Sequence, residues 1–157
     1  MKVKDILQPD GIYIKEYYTL DTIIDIICQV TDKTFPVLND KHEVTGIITP
    51  KVIIKMFIPN YFDLLKNFFF VDDFTPLEKI FSKNIVSTIT CAAIIAKDVM
   101  LTPPVVIHKN GSLLKASSLM LCRNIEFLPV VDDENKFMGV IHEKVLLKHL
   151  LKELSKT

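Results

Sequence analysis

The chain has 157 residues, 49% of them hydrophobic, and balances 19 acidic against 19 basic side chains. That is enough apolar material for one compact domain, or two half-domains around one core, and too much for a disordered chain. The neutral balance provides no basic field for non-specific nucleic-acid binding and leaves self-association electrostatically unopposed.

No uninterrupted apolar run approaches the roughly 18–20 residues that a membrane span needs. The N-terminus, Met1 to Asp5, carries an early carboxylate and no apolar core of the kind a signal peptide has. Cys28, Cys91 and Cys122 are scattered and form no C-x-x-C pair, which argues against a disulfide framework or a zinc site. The expectation is a soluble cytoplasmic protein with no nucleic-acid or membrane partner.

In chain order, Tyr13-Ile14 reads as a short first strand. Thr19 then suits an N-cap for a helix that puts Leu20, Ile23, Ile24, Ile27 and Val30 on one face. Phe35 to Leu38 is a compact apolar strand, residues 39–42 are a turn cluster, and Val44 to Ile48 is the hairpin partner. Thr49-Pro50 combines a hydroxyl cap with proline at the first helical position, so a helix carrying Val52 to Phe57 starts there.

The stretch 60–70 reads as a helix rich in Phe, Leu and Tyr, and 71–74 as a loop. Thr75-Pro76-Leu77-Glu78 is a capping box that opens a second helix running towards Asn84. Residues 85–95 fit helix or strand equally. Phe68-Phe69-Phe70 is either an exposed binding patch or a surface packed on the rest of the chain or across a dimer seam. After it, Pro104 to Ile107 reads as strand, and Ser112 caps a helix with Leu113, Ala116, Met120 and Arg123. Phe127 to Val131 is strand, 132–135 is turn, Phe137 to Ile141 is strand, and a last helix runs from about Glu143 to Leu154.

The second series repeats the first. Residues 4–55 align with 97–148 at one constant offset and without a gap. Lys4-Asp5-Ile6-Leu7 falls on Lys97-Asp98-Val99-Met100, Pro36-Val37 on Pro129-Val130, and Gly46-Ile47-Ile48 on Gly139-Val140-Ile141. Two β-α-β-β-α units are too few for a solenoid, so the expected fold is α/β (α+β): a pseudo-twofold pair that buries a shared seam and creates clefts between its copies. The expected division is copy one at 1–57, a helical insert or linker at 58–96, and copy two at 97–157.

These units resemble the CBS domain, and the pair resembles a Bateman module. The matching pieces are Lys97-Asp98-Val99-Met100, Leu128-Pro129-Val130-Val131-Asp132 and Gly139-Val140-Ile141 in copy two. In copy one they are Lys4-Asp5-Ile6-Leu7, Phe35-Pro36-Val37 and Gly46-Ile47-Ile48-Thr49. The resemblance covers about two-thirds of the chain and leaves the insert outside. It implies adenosine-containing ligands in the clefts between copies (AMP, ADP, ATP, S-adenosylmethionine, in some members cyclic dinucleotides), no required cofactor, and a disc-shaped homodimer. It also implies a motif of glycine, two apolar residues, Ser or Thr, two variable residues and a ribose-binding Asp.

The chain departs from that motif. Thr49 keeps the hydroxyl, but Val52 stands where the Asp belongs; in copy two His142 and Val145 replace both polar positions. A hydrogen bond to a charged group is worth about 1.5–3 kcal/mol, so loss of the carboxylate weakens a ribose contact on the order of 10- to 100-fold. Lys51 and Lys144 stand in the first turns of equivalent helices, where a cation opposes the helix dipole. They are either phosphate ligands beside free N–H groups or solvated surface lysines. His142 is either a pH-dependent phosphate donor or a cap substitute.

Thr34 and Phe127 precede the proline-bearing strands and are candidates for the base pocket, with Pro36 and Pro129 behind them. Thr102 lies in the loop ahead of the second copy's first strand, where the family contacts ligand, and either serves that role or simply breaks the chain ahead of Pro103-Pro104. Val105, within that strand, is a further ligand-binding candidate. His42, His108 and His149 are dispersed and suggest no metal site. No nucleophile elbow, P-loop, dinucleotide fingerprint or metal-spaced cluster is present, so the chain is expected not to be an enzyme. Two functions follow: a stand-alone regulatory module for an adenosine nucleotide, or a structural, dimerisation or partner-binding module with degenerate sites.

Overall fold

The computed structural model of the protein describes residues 1–57 and 93–155. The helices expected at 60–70 and from 75, the loop between them, the phenylalanine cluster and the stretch 85–92 lie outside the described residues.

Copy one begins with strand β1 (Ile14–Lys15) and helix α1 (Leu20–Gln29), followed by β2 (Phe35–Leu38), β3 (Val44–Ile48) and α2 (Pro50–Met56). A short helix α3 (Ala96–Val99) leads into copy two: β4 (Ile107–His108), α4 (Leu113–Arg123), β5 (Phe127–Val131), β6 (Phe137–His142) and α5 (Glu143–Leu154). Each copy forms a three-stranded sheet in chain order, with its first two strands parallel and its last two antiparallel. The registers match position for position: Val37 faces Gly46 as Val130 faces Gly139, and Phe35 faces Ile48 as Leu128 faces Ile141.

Local chemistry explains most boundaries. Thr49 Oγ1 accepts from Val52 N–H at 3.3 Å and Pro50 follows at N1, which fixes the start of α2. Ser112 Oγ accepts from Lys115 N–H at 3.1 Å at the start of α4. The β2–β3 and β5–β6 turns are closed alike: Asn39 Oδ1 accepts the N–H groups of Lys41 and Glu43, and Asp132 Oδ1 those of Glu134 and Lys136.

Two expectations shift. Val30 is not on the face of α1 but is the extended residue after it, at φ −129° and ψ 161°. Its branched side chain suits extended backbone and still packs on the same core. The strand expected over 104–107 starts only at Ile107, because Pro103 and Pro104 have no N–H to give to the neighbouring strand.

Among the described residues, three apolar clusters hold the pair together. One lies under the helices of copy one around Phe35, Val37 and Ile48; another lies under those of copy two around Leu128, Val130 and Ile141. The third is the seam, where Leu38 and Val44 of one copy meet Val131, Phe137 and Val140 of the other. Adjacent strand residues point to opposite faces, so Val37 enters the helix-side core and Leu38 the seam, as Val130 and Val131 do. The runs β2 and β5 are therefore buried throughout.

The segments that precede each copy are exchanged. Val3 and Ile6 lie in the core of copy two, while Ala96, Val99 and Met100 pack in that of copy one. Gln8 exchanges two backbone hydrogen bonds with Val140, both at 3.0 Å; Leu101 exchanges two with Ile47, at 2.8 and 3.1 Å. Lys2 bridges Ser112 as Ile95 bridges Thr19. Every one of these pairs maps onto its counterpart at the repeat offset, so the pseudo-twofold relation includes the lead-ins.

A twofold axis brings equivalent positions face to face, and two such pairs mark it. Glu43 bridges Lys136 between the turns, flanked by Val44 N–H to the Asn135 carbonyl and Phe137 N–H to the His42 carbonyl. At the other, Lys33 Nζ meets Glu126 Oε1 at 2.6 Å.

Candidate functional site

Beside the Lys33–Glu126 pair lies a pocket of about 800 Å³ between the copies. Copy one contributes the approach to β2 and the start of α2: Lys33, Thr34, Thr49, Pro50 and Lys51. Copy two contributes α4, the connection after it and α5: Met120, Leu121, Ile125, Leu146, Leu147 and Leu150 make an apolar wall, with Ser117, Asn124, Glu126 and Glu143 at its polar margin. The pocket is of the size that small-molecule sites have, and it joins an apolar wall to a few convergent polar groups. Among the described residues, two ammonium and two carboxylate groups line it, so a ligand's anionic group would meet both attraction and competition.

Of the ten residues singled out from the sequence, the pocket gathers Thr34, Thr49 and Lys51. Thr34 is buried although polar, whereas Lys51 is exposed on the first turn of α2. Thr49 Oγ1 already accepts the Val52 N–H, which leaves its proton and second lone pair for another partner.

The other seven lie off this pocket. Pro36 and Pro129 are buried inside β2 and β5, opposite Ile47 and Val140. Thr102 is exposed, and Val105 packs on the copy-two core. Lys144 is exposed on α5.

Phe127 and His142 pair at the ends of β5 and β6, with ring centroids 4.4 Å apart and planes at 78°. They are the counterparts of Thr34 and Thr49, so two hydroxyls in one copy correspond to two touching rings in the other. His142 is the residue before α5, but its side chain makes no capping hydrogen bond. The two corners are thus chemically unlike.

Sequence reading missed Lys33, Glu126 and Glu143. Lys33 and Glu126 carry a usable signal: equivalent positions of the repeat with opposite charges, which a twofold axis can bring together. Among the described residues, groups with shifted acidity lie elsewhere, on the β5–β6 turn and at Lys109 beside it. Lys136 and Glu134 N–H groups hold the Asp132 carboxyl below its ordinary range, and Lys109 and His108 do the same for Asp133. Asp133 in turn raises Lys109, and Glu134 raises Lys136. Among the described residues, no group of three or more His, Cys, Asp or Glu side chains could hold a metal ion, and no helix is long and apolar enough to cross a membrane.

The family model for the CBS domain matches residues 96–152. The structure of a CBS domain pair/ACT domain protein from Thermotoga maritima superposes with a TM-score of 0.69 at 17% identity, covering 98% of this chain and 99% of that one. Residues 96–152 thus match the CBS domain, and the chain has the fold of a CBS-domain pair.

The pair is also similar to the Arabidopsis thaliana CBS-pair protein CBSX2 in complex with AMP, with a TM-score of 0.67, 20% identity, and 96% of each chain covered. It resembles a CBS-domain pair in complex with 5′-methylthioadenosine and S-adenosyl-L-methionine, with a TM-score of 0.64, 17% identity, and 98% of each chain covered.

Among curated relatives, an L-aspartate semialdehyde sulfurtransferase of Methanocaldococcus jannaschii is 36% identical over 47 residues, 30% of this chain and 9% of that protein. An uncharacterised protein of the same organism is 28% identical over 165 aligned positions, covering 96% of this chain and 92% of its own length. The chain therefore aligns with a small part of the enzyme and with nearly all of the second relative.

Proposed function

We propose that this CBS-domain pair is a regulatory ligand-binding module, not an enzyme, that takes an adenosine nucleotide or a related phosphorylated ligand between its copies. The observation that carries this reading is the pocket of about 800 Å³ bounded by Thr34, Thr49 and Lys51 on one side and an apolar helix wall on the other. The base and sugar would lie on the wall, and the phosphate would face Lys51 and the hydroxyls. The AMP complex and the S-adenosylmethionine complex of the two similar folds support a ligand of that class: AMP, ADP, ATP or S-adenosylmethionine, with no further cofactor required.

The remaining candidates, Pro36, Thr102, Val105, Phe127, Pro129, His142 and Lys144, belong in this reading to the cleft framework and to a second, weaker corner. Signalling follows from differential affinity: a ligand that touches both copies favours the arrangement in which they are closest, and no bond is broken. We infer the division 1–57, 58–96 and 97–157 for repeat, insert and repeat, a homodimer through the CBS repeats, and a cytoplasmic setting.

Thermal-shift and calorimetric titration against AMP, ADP, ATP, S-adenosylmethionine and cyclic dinucleotides tests this. A ligand at a hundred times its Kd should stabilise the fold by about 2.7 kcal/mol. Silence across the panel at millimolar concentration removes the sensor reading.

A second reading, a structural or partner-binding module with decayed sites, is favoured by two observations. Val52 and Val145 replace the ribose-binding carboxylate in both copies. The helices of copy two also expose Leu114, Leu121, Leu147 and Leu151. A dimer in the absence of any ligand response would favour it.

A further inference from the structure

We propose that Lys33 anchors the anionic group of a ligand in the inter-repeat pocket, and that Glu126 guards it through an ion pair the ligand must displace. The inference rests on the pocket assignment above and adds its most selective contact.

Four observations carry it. Lys33 and Glu126 both line the pocket, one from each copy. Their charged atoms are 2.6 Å apart, so the carboxylate already engages the ammonium that an anion would need. Their side chains are 63% and 41% exposed, so the flexible lysine stem can swing from the carboxylate to a phosphate without crossing a packed core. They occupy equivalent repeat positions, which places the exchange on the pseudo-twofold axis. Replacing Glu126 by a ligand there removes a direct link between the copies and substitutes one that runs through the ligand.

Magnitude favours exchange over a fixed strut. Exposed ion pairs are weak, so displacing this one lowers anion affinity by no more than about two- to fivefold. Phosphate offers more acceptor oxygens and more charge than one carboxylate, so Lys33 should prefer it. Lys51 is the second cation of the pocket, whereas Glu143 is a second carboxylate that makes no ion pair with Lys33.

The test is a double-mutant cycle on the full chain, read by calorimetric titration with AMP, ADP and ATP, and with adenosine as the uncharged control. Glu126→Gln should tighten the nucleotides about two- to fivefold and leave adenosine unchanged. Lys33→Gln should weaken them about three- to tenfold, and Lys33→Arg should restore most of the loss. In the Lys33→Gln background, Glu126→Gln should give no further gain.

A gain that persists without Lys33, or an equal gain from Glu143→Gln, would mean that only the general field of the pocket had changed, and would overturn the guard. Nucleotide binding that ignores Glu126→Gln also overturns it and leaves the pocket assignment standing. Silence of all three nucleotides in every variant overturns both.

Discussion

Gly139→Ala should be far more damaging than Gly46→Ala, although the two glycines are the same position of the repeat. Gly139 has φ +144°, a conformation that side chains rarely adopt, and a Cβ there would run into the carbonyl oxygen of Gln8 and stand 2.9 Å from the Pro9 Cα. Those atoms are backbone of the exchanged lead-in and cannot rotate away. Backbone strain of about 1–3 kcal/mol would add to the loss of the two Gln8–Val140 hydrogen bonds, each worth about 1 kcal/mol.

The expected cost is about 3–5 kcal/mol, a fall in Tm on the order of 10 °C for a chain of this length. At Gly46 a Cβ would meet the Met100 side chain, 2.6 Å from its Cγ. That side chain is unbranched and can repack, so the cost there should be about 1–2 kcal/mol. Urea unfolding of both variants, compared at unchanged m-value, measures the difference. Equal losses at the two glycines would refute the reasoning that the Gln8 lead-in is locked against β6.

Asp132→Ala should lower Tm at neutral pH by opening the β5–β6 turn, while Asp132→Asn should keep it closed, as Asn39 closes its counterpart. The folded Asp132 has a lowered pKa, so its contribution is present above the unfolded carboxylate pKa and is lost as pH falls through the folded value. Thermal melts between neutrality and acid should therefore converge for wild type and Asp132→Ala at low pH; a constant gap would contradict this. Thr49→Ala should cost about 0.5–1 kcal/mol through the lost cap. It should also weaken nucleotide binding, as should Lys51→Ala, and Lys144→Ala should weaken it less; equal effects of the two lysines in calorimetry would place the site elsewhere. Leu114→Glu with Leu151→Glu, at residues 75% and 66% exposed, should change monomer stability by no more than about 0.5 kcal/mol. The pair should nevertheless shift a dimer to monomer in sedimentation, and an unaffected dimer would put the seam on another face.

Most of the architecture was legible because the repeat preserves local signals. Thr49-Pro50 and Ser112 start helices in both readings, and the paired Pro36/Pro129 and Gly46/Gly139 fix two identical sheet registers. The exchange of lead-ins was not legible. Lys4 to Leu7 has the same pattern whether it packs on its own copy or the other, and only the three-dimensional closure chooses.

The site was partly legible for a related reason. Thr34, Thr49 and Lys51 stand at strand and helix ends within copy one, where local pattern places them. The wall from α4 and α5 belongs to the other copy, and of its residues the sequence reading named only Met120, as part of a helix. Lys33 and Glu126 become meaningful only when the axis is known, since each alone is one more surface charge.

The central claim is that the space between the copies is a nucleotide site. Calorimetric titration of the intact chain with AMP, ADP, ATP and S-adenosylmethionine, repeated on Thr49→Ala, tests it most directly. The account predicts saturable binding of at least one of these ligands by the unaltered chain and weaker binding by the variant. Heat indistinguishable from dilution for all four at millimolar concentration, or binding that Thr49→Ala leaves intact, would contradict it.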